Sequence, residues 1–302
     1  MQISAILSDY DGTLCPTASI RDEDQNAIPV ELENILWDIS EKIPVCIVSS
    51  KDFNFLHKRT RFAVIASCIL GIETLTLRPH NKTIGRTSRH AKMNIPQDEN
   101  SECRDFKKCI EQSYLSVHYS LLQDNSEILS QLAEEVASEF KEVSPEKKFT
   151  VTPKKTLAGL TFDWRNTSDW GSLKVKIESK LQRAMNRKES QLQLQEKSSE
   201  LHIQTYTTHP FIDIYAIRCN KGIAYAHVVS EIQQIDGIVP KIMYMGDSEN
   251  DNPAFRKADV SIGVKSDKRL SPSLDCDYMI KFDKLANFLE KLHKESFVFS
   301  GL

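Results

Sequence analysis

The amino-acid sequence predicts an α/β protein, with a doubly wound, mainly parallel Rossmann-like sheet carrying an inserted α+β domain. Three observations lead there. Near the N-terminal end the apolar runs ISAILS (3–8), IPVCIVSS (43–50) and FAVIAS (62–67) are short and rich in β-branched residues, with helix-like stretches between them. The same alternation returns after residue 218, and the chain changes character in between. A length of 302 residues also exceeds the roughly 100 to 200 residues of one domain.

Taken in order, the first run reads as a buried strand. The stretch from Pro29 to Lys42 reads as a helix, with proline at its start and Leu32, Ile35, Leu36 and Ile39 on one face; Trp37 is expected in the core with them. The runs at 43–50 and 62–67 follow as strands, and strand–helix–strand alternation implies parallel pairing. Residues 80–104 are polar and irregular, 104–142 read as helix, and 148–164 as a hairpin around Pro153 to Lys155. A charged helix over about 171–197 leads to two strands within 201–218, broken at His209-Pro210. The α/β pattern then resumes with a helix at 221–235, strands at 241–248, 258–264 and 276–280, and a last amphipathic helix carrying Leu285, Phe288, Leu289 and Leu292. These readings give a core of 1–70 and 219–302 and an insertion of 71–218.

Composition narrows the class. With 40% hydrophobic and 27% charged residues, and no apolar run long enough to span a bilayer, a soluble protein without a membrane partner is expected. The start MQISAILSDYDG has neither a basic segment nor a small-residue cleavage site, which points to the cytoplasm. A net charge of -3 and the lack of a long basic run argue against nucleic acid, and a monomer or homodimer is expected. Cys15, Cys46, Cys68, Cys103, Cys109, Cys219 and Cys276 show no CxxC spacing, so reduced thiols are expected rather than a disulfide framework.

Ligands of open parallel sheets bind at the carboxyl ends of the strands, so the polar residues directly after buried strands carry the functional reading. Four places qualify: Asp9 and Asp11 in ILSDYDGTL, with Gly12 and Thr13; Ser49, Ser50 and Lys51; Lys221 in RCNKG; and Asp247, Asn250 and Asp251 in MGDSENDNPAF. Two carboxylates ~4 Å apart at an effective dielectric of about 20 repel by about 4 kcal/mol, so a converging set needs a cation. Oxygen ligands suit Mg²⁺. A carboxylate can attack phosphorus, a second can protonate the leaving oxygen and then activate water, and hydroxyl, backbone and lysine donors can hold the phosphoryl oxygens. A lysine opening a helix, where the backbone already carries positive partial charge, is unfavourable without an anion beside it.

DYDGT, the serine after the second strand, NKG and GDSEND stand in the order seen in the haloacid dehalogenase superfamily, which this chain resembles along nearly its whole length. The resemblance implies a phosphatase acting on a small phosphorylated substrate. Asp9 would be the nucleophile, Asp11 the general acid/base, Ser49 and Ser50 with Lys221 the phosphate binders, and Asp9, Asp247, Asp251 and the Asp11 carbonyl the Mg²⁺ ligands, supported by Gly12, Thr13 and Asn250; Asn250 and Asp251 are each open between ligating the metal and orienting Lys221. The insertion resembles the larger α/β cap shared by Cof-like, sucrose-phosphate, trehalose-phosphate and mannosyl-3-phosphoglycerate phosphatases, which implies a sugar phosphate. VSSK and GDSENDNPAF are similar to the mannosyl-3-phosphoglycerate branch, the latter also to the sucrose-phosphate branch, and less to the trehalose-phosphate enzymes. LGIETL departs from the asparagine-glycine pair that leads into the cap in many relatives. Lys154, Lys155, Trp164, Arg165 and His209 are the candidate substrate contacts in the cap. A sugar phosphomutase on the same scaffold, or a sensor that binds a sugar phosphate without turnover, are the alternatives.

Overall fold

Strand β1 (Ala5–Ser8) is buried at every position, and the architecture is built outward from it. The computed structural model describes residues 1–16, 27–77, 128–132, 134–135, 138, 150–153, 159–163, 170–193, 201–206, 211–265 and 273–302. After β1 come β2 (Val45–Val48), β3 (Ile65–Cys68) and β4 (Glu73–Thr76), then β5 (Thr150–Pro153), β6 (Gly159–Asp163), β7 (His202–Thr205) and β8 (Phe211–Tyr215), and finally β9 (Ile242–Gly246), β10 (Val260–Lys265) and β11 (Tyr278–Lys281). Seven of them form one sheet in the order β11-β10-β9-β1-β2-β3-β4, parallel at every pairing except β3 with β4. The uninterrupted apolar character of AILS, VCIV and IMYMG follows, because a parallel sheet is covered on both faces.

Register is what places the functional residues. Ser8 is opposite Ile47 on one side and Met245 on the other, so β1, β2 and β9 run out at the same edge. Strand β1 lies between β2, its neighbour in sequence, and β9, from the far end of the chain; such a reversal of strand order opens a crevice at the carboxyl edge.

Helix α1 (Val30–Ser40) begins after Pro29, carries Glu31 and Glu33 in a first turn that favours negative charge, and buries Leu32, Ile35, Leu36 and Ile39. Trp37 is off that stripe: it is 36% exposed and touches Phe62 edge-to-face at 6.4 Å, which corrects its expected place in the core. A short helix α2 (Phe53–Leu56) follows β2. The helix expected at 171–197 is α3 (Trp170–Gln193). Helix α4 (Lys221–Asp236) buries Ala224, Tyr225, Val228 and Ile232 in one cluster with Ala5, Leu7, Val48 and Tyr244 of the sheet. The single turn α5 (Asn252–Phe255) and the last helix α6 (Leu285–Lys294) complete the set, with α6 packed against α1.

The chain divides into two compact units: Met1–Val117, Lys221–Arg269 and Leu274–Leu302 in one, and His118–Asn220 with Leu270–Ser273 in the other. The second contains an antiparallel sheet of order β5-β6-β8-β7, in which both expected hairpins are present, and buries Leu160, Phe162, Ile177, Leu181, Ile212 and Ile214. Strand β4 is a difference from the sequence reading. Ile69 and Leu70 take left-handed φ values of 46° and 56°, the chain reverses within three residues, and Glu73–Thr76, assigned to the insertion, pair with β3 instead. A four-residue edge strand after so tight a turn has no periodic signature to read. The irregular stretch expected at 80–104 and most of the helix expected at 104–142 lie outside the described residues. Among the described residues, no helix is long and apolar enough to cross a membrane.

Leu36 is fully buried on α1 whereas Val30, on the same helix, is 68% exposed. Urea unfolding should therefore show Leu36→Ala losing about 2 to 5 kcal/mol and Val30→Ala within about 0.5 kcal/mol of wild type.

Candidate active site

The β1 ladder runs one step past the strand, since the Asp9 amide donates to the Met245 carbonyl at 2.9 Å, and Asp9 is consequently held buried at the sheet edge. The chain then turns tightly: Gly12 N–H donates to the Cys15 carbonyl at 2.7 Å, while Leu14 and Cys15 donate to the Tyr10 carbonyl at 3.0 Å. Gly12 has a φ of 83°, and a Cβ there would fall 1.9 Å from Asp247 Oδ2, so the DYDGT turn and the Asp247 carboxylate touch. Only glycine fits that contact. Thr13 is fully buried beside them, and its Oγ1 has no hydrogen-bond partner.

Lys221, the first residue of α4, is 2% exposed, and its ammonium lies 2.6 Å from Asp251 Oδ1 and 3.0 Å from Asp9 Oδ2. Burial pushes its pKa down, but the charges of Asp251 and Asp9 outweigh burial and raise it above the ordinary lysine value, so Lys221 stays charged. Asp9 is pushed up to about 7, first by burial, against which Lys221 pulls down while Asp251 and Asp11 push further up.

Asp251 has five donors on its carboxylate. Oδ1 accepts from Lys221 Nζ and from the Tyr244 hydroxyl at 2.7 Å; Oδ2 accepts from the amides of Asp247 and Ser248 and from the Ser248 hydroxyl, each at 3.1 Å. The bond to the Ser248 amide completes a capping box over the turn Glu249–Asp251. Gly246 leaves the room this needs, since a Cβ there would meet Asp251 Cγ at 2.3 Å. Of the two roles the sequence leaves open for Asp251, metal ligand or partner of Lys221, these bonds show the second: its oxygens hold Lys221 and the loop that carries Asp247. Asn250 is buried in the same turn.

On the other side of β1, Ser49 is buried, its amide continues the ladder to the Ser67 carbonyl at 2.9 Å, and its carbonyl accepts from Leu70 at 3.0 Å. Ser50 is half-buried next to it. Lys51, which the sequence places after β2 without a role, pairs with Asp11 at 3.1 Å. Asp9, Asp11, Ser49, Ser50, Lys221, Asp247, Asn250 and Asp251 all lie at or directly behind the carboxyl edge of the large sheet. Lys154, Lys155, Trp164, Arg165 and His209 lie outside the described residues. Sequence reasoning missed Tyr244, Gly246 and Ser248; the S-x-x-D spacing from Ser248 to Asp251 was the available signal.

Asp9, Asp247 and Asp251 each bring an oxygen within 4.8 Å of the others. These three carboxylates are the group among the described residues that could hold a cation, Asp251 while also accepting its five hydrogen bonds. A group made of carboxylates, with no sulfur or imidazole in it, is a hard donor set that fits Mg²⁺, an ion that takes oxygen ligands and keeps several waters.

Because a cation competes with the proton that Asp9 holds up to about 7, the thermal stabilisation produced by Mg²⁺ should grow as pH rises from 6 to 8 and shrink in Asp9→Asn, as read by unfolding temperature. The two aspartates of GDSEND should separate in the same assay. Asp247→Asn should lose the Mg²⁺ effect while staying within about 1 kcal/mol of wild type without metal. Asp251→Ala, which strips Lys221 of its shorter partner, should cost about 3 to 5 kcal/mol without metal.

No curated protein matches the chain by sequence. Among solved structures, a trehalose-6-phosphate phosphatase related protein is 14% identical with a TM-score of 0.56, over 97% of this chain and 98% of that one. The C-terminal domain of the C. albicans trehalose-6-phosphate phosphatase is 15% identical with a TM-score of 0.58, over 97% and 92%. A haloacid dehalogenase-like hydrolase from Bacteroides thetaiotaomicron is 14% identical with a TM-score of 0.53, over 96% and 100%. At these identities the likeness is one of fold, and it extends over both compact units. The sequence profile of the haloacid dehalogenase-like hydrolases matches residues 6–270, from β1 past the GDSEND turn, and the chain belongs to that family.

Proposed function

We propose that the protein is a Mg²⁺-dependent phosphomonoesterase that hydrolyses a small sugar phosphate through an aspartyl-phosphate on Asp9. The observation that carries this reading is the buried Asp9 carboxylate, 3.0 Å from a buried lysine, with a second carboxyl group two residues on at the same sheet edge. A binding protein has no need of that pair, because ionised carboxylates repel a phosphate dianion. An enzyme that attacks phosphorus with one and moves a proton with the other needs both.

In this reading Asp9 forms the bond to phosphorus as the bond to the leaving oxygen breaks, and Asp11 protonates that oxygen. Asp11, now a carboxylate, takes a proton from the water that attacks the phosphoaspartate, which returns Asp9 to its starting form. Lys221 offers positive charge beside Asp9, where the phosphoryl oxygens gather negative charge, and the Ser49 hydroxyl is a neutral donor on the opposite side. Asp9, Asp247, Asp251 and the Asp11 carbonyl would hold Mg²⁺, which supplies neutralisation of the phosphoryl charge. The insertion, read as 71–218, is where we place the choice of sugar.

The test is phosphate release from a panel of sugar phosphates and p-nitrophenyl phosphate with and without Mg²⁺. Release should require the metal, and Asp9→Asn should lower kcat by at least about 10³-fold with the fold intact. Full turnover by Asp9→Asn would overturn the mechanism, and isomer formation without phosphate release would identify a mutase instead.

A further inference from the structure

We propose that Lys51 is a positioning residue for Asp11: its ammonium holds the Asp11 carboxyl group in the orientation from which the leaving oxygen is protonated. The inference rests on the reading of Asp11 as the proton donor and adds a residue that this reading does not assign.

The geometry joins two loops that the sequence keeps 40 residues apart. Lys51 Nζ lies 3.1 Å from Asp11 Oδ2. The backbone of Lys51 is pinned at both ends, since its amide donates to Ser49 Oγ at 3.2 Å and its carbonyl accepts from the Ile69 amide at 2.9 Å. Ile69 is in the left-handed conformation, so the turn between β3 and β4 is shaped to make that contact. The Lys51 ammonium lies 5.3 Å from the centre of the Phe55 ring, which also carries the Arg59 guanidinium at 4.2 Å and meets the edge of Tyr10 at 5.7 Å. Tyr10 stands between Asp9 and Asp11 in the chain, and α2, which presents Phe55, is capped by Asp52 accepting from the Phe55 amide at 2.9 Å. Tyr10, Phe55 and Lys51 therefore make a continuous brace from the DYDGT turn to the loop after β2.

Two features argue that this brace serves orientation rather than stability. The pair is about a quarter exposed on each side, and ion pairs that reach solvent contribute little to folding. Asp9 is already paired with Lys221, which leaves Lys51 as the cation set against Asp11 among the described ion pairs. With Oδ2 held, the carboxyl group cannot turn freely. In the first step the Asp9 oxygen–phosphorus bond forms, the phosphorus–leaving oxygen bond breaks, and the proton passes from Asp11 to that oxygen, so a misaligned Asp11 slows the step in proportion to how much the leaving group needs the proton.

That dependence gives the experiment. The kcat/KM for β-glycerophosphate, whose alkoxide leaves only with a proton, and for p-nitrophenyl phosphate, whose phenolate leaves without one, should be measured with Mg²⁺ for wild type, Lys51→Met and Lys51→Arg. Lys51→Met should lower the β-glycerophosphate value by about 10²-fold and the p-nitrophenyl phosphate value by less than about tenfold, and Lys51→Arg, which keeps the ion pair, should recover most of the loss. Equal losses on both substrates, or no loss on either, would overturn the assignment of Lys51 alone. No release from either substrate by wild type would overturn the phosphatase reading and this proposal with it. Unfolding temperatures of the variants confirm that the folded enzyme is compared, and the arginine variant keeps the comparison decisive if the methionine variant is unstable.

Discussion

A buried ammonium group holds this site together. Lys221 has almost no access to water, and an unpaired charge there would cost several kcal/mol, so its position is dictated by the two carboxylates that meet it. One directly follows β1 and the other is in the turn after β9, so a single side chain ties the end of the first strand to a segment some 240 residues later. The Lys221 site at the start of a helix, electrostatically poor on its own, becomes favourable because Asp9 and Asp251 supply the negative charge that a helix N-terminus attracts.

Much of the local sequence follows from accommodating Asp251. Its carboxylate sits against Gly246, under the amides of Asp247 and Ser248, and receives the hydroxyl of Tyr244 from inside the sheet. Each donor has its bond made, so removing one leaves a buried group unsatisfied. Asp247 is thereby aimed at the DYDGT turn, where Gly12 provides the only spacing that fits. Asp9, Asp11, Asp247 and Asp251 face Lys51 and Lys221 in a set with two negative charges in excess when all are ionised. Asp9 relieves part of that excess by holding its proton up to about 7, and a divalent cation that displaced the proton would balance both charges.

The residues at the sheet edge were legible because two simple regularities locate them: parallel strands read as apolar runs, and ligands collect where those runs end. Asp9, Ser49 and Asp247 each stand one residue beyond β1, β2 and β9, and the register of β1 with β2 and β9 brings them together. What was not legible depends on side-chain direction in three dimensions. That Asp251 meets both Lys221 and Tyr244, and that Lys51 reaches across to Asp11, are facts of packing with no periodicity behind them. Strand β4 escaped notice because four residues after a left-handed turn are too few to show a period, and Trp37 because a large apolar residue was placed in the core against the geometry of its own helix.

The central claim is that Asp9 makes the bond to phosphorus. The most direct measurement is acid quenching of the enzyme during turnover with Mg²⁺ and p-nitrophenyl phosphate, followed by borohydride reduction and peptide mass spectrometry. A phosphoaspartate is reduced to homoserine, and the account predicts homoserine at position 9 in the wild type. Homoserine at another aspartate, or an unmodified Asp9 in enzyme quenched in the steady state, would contradict it.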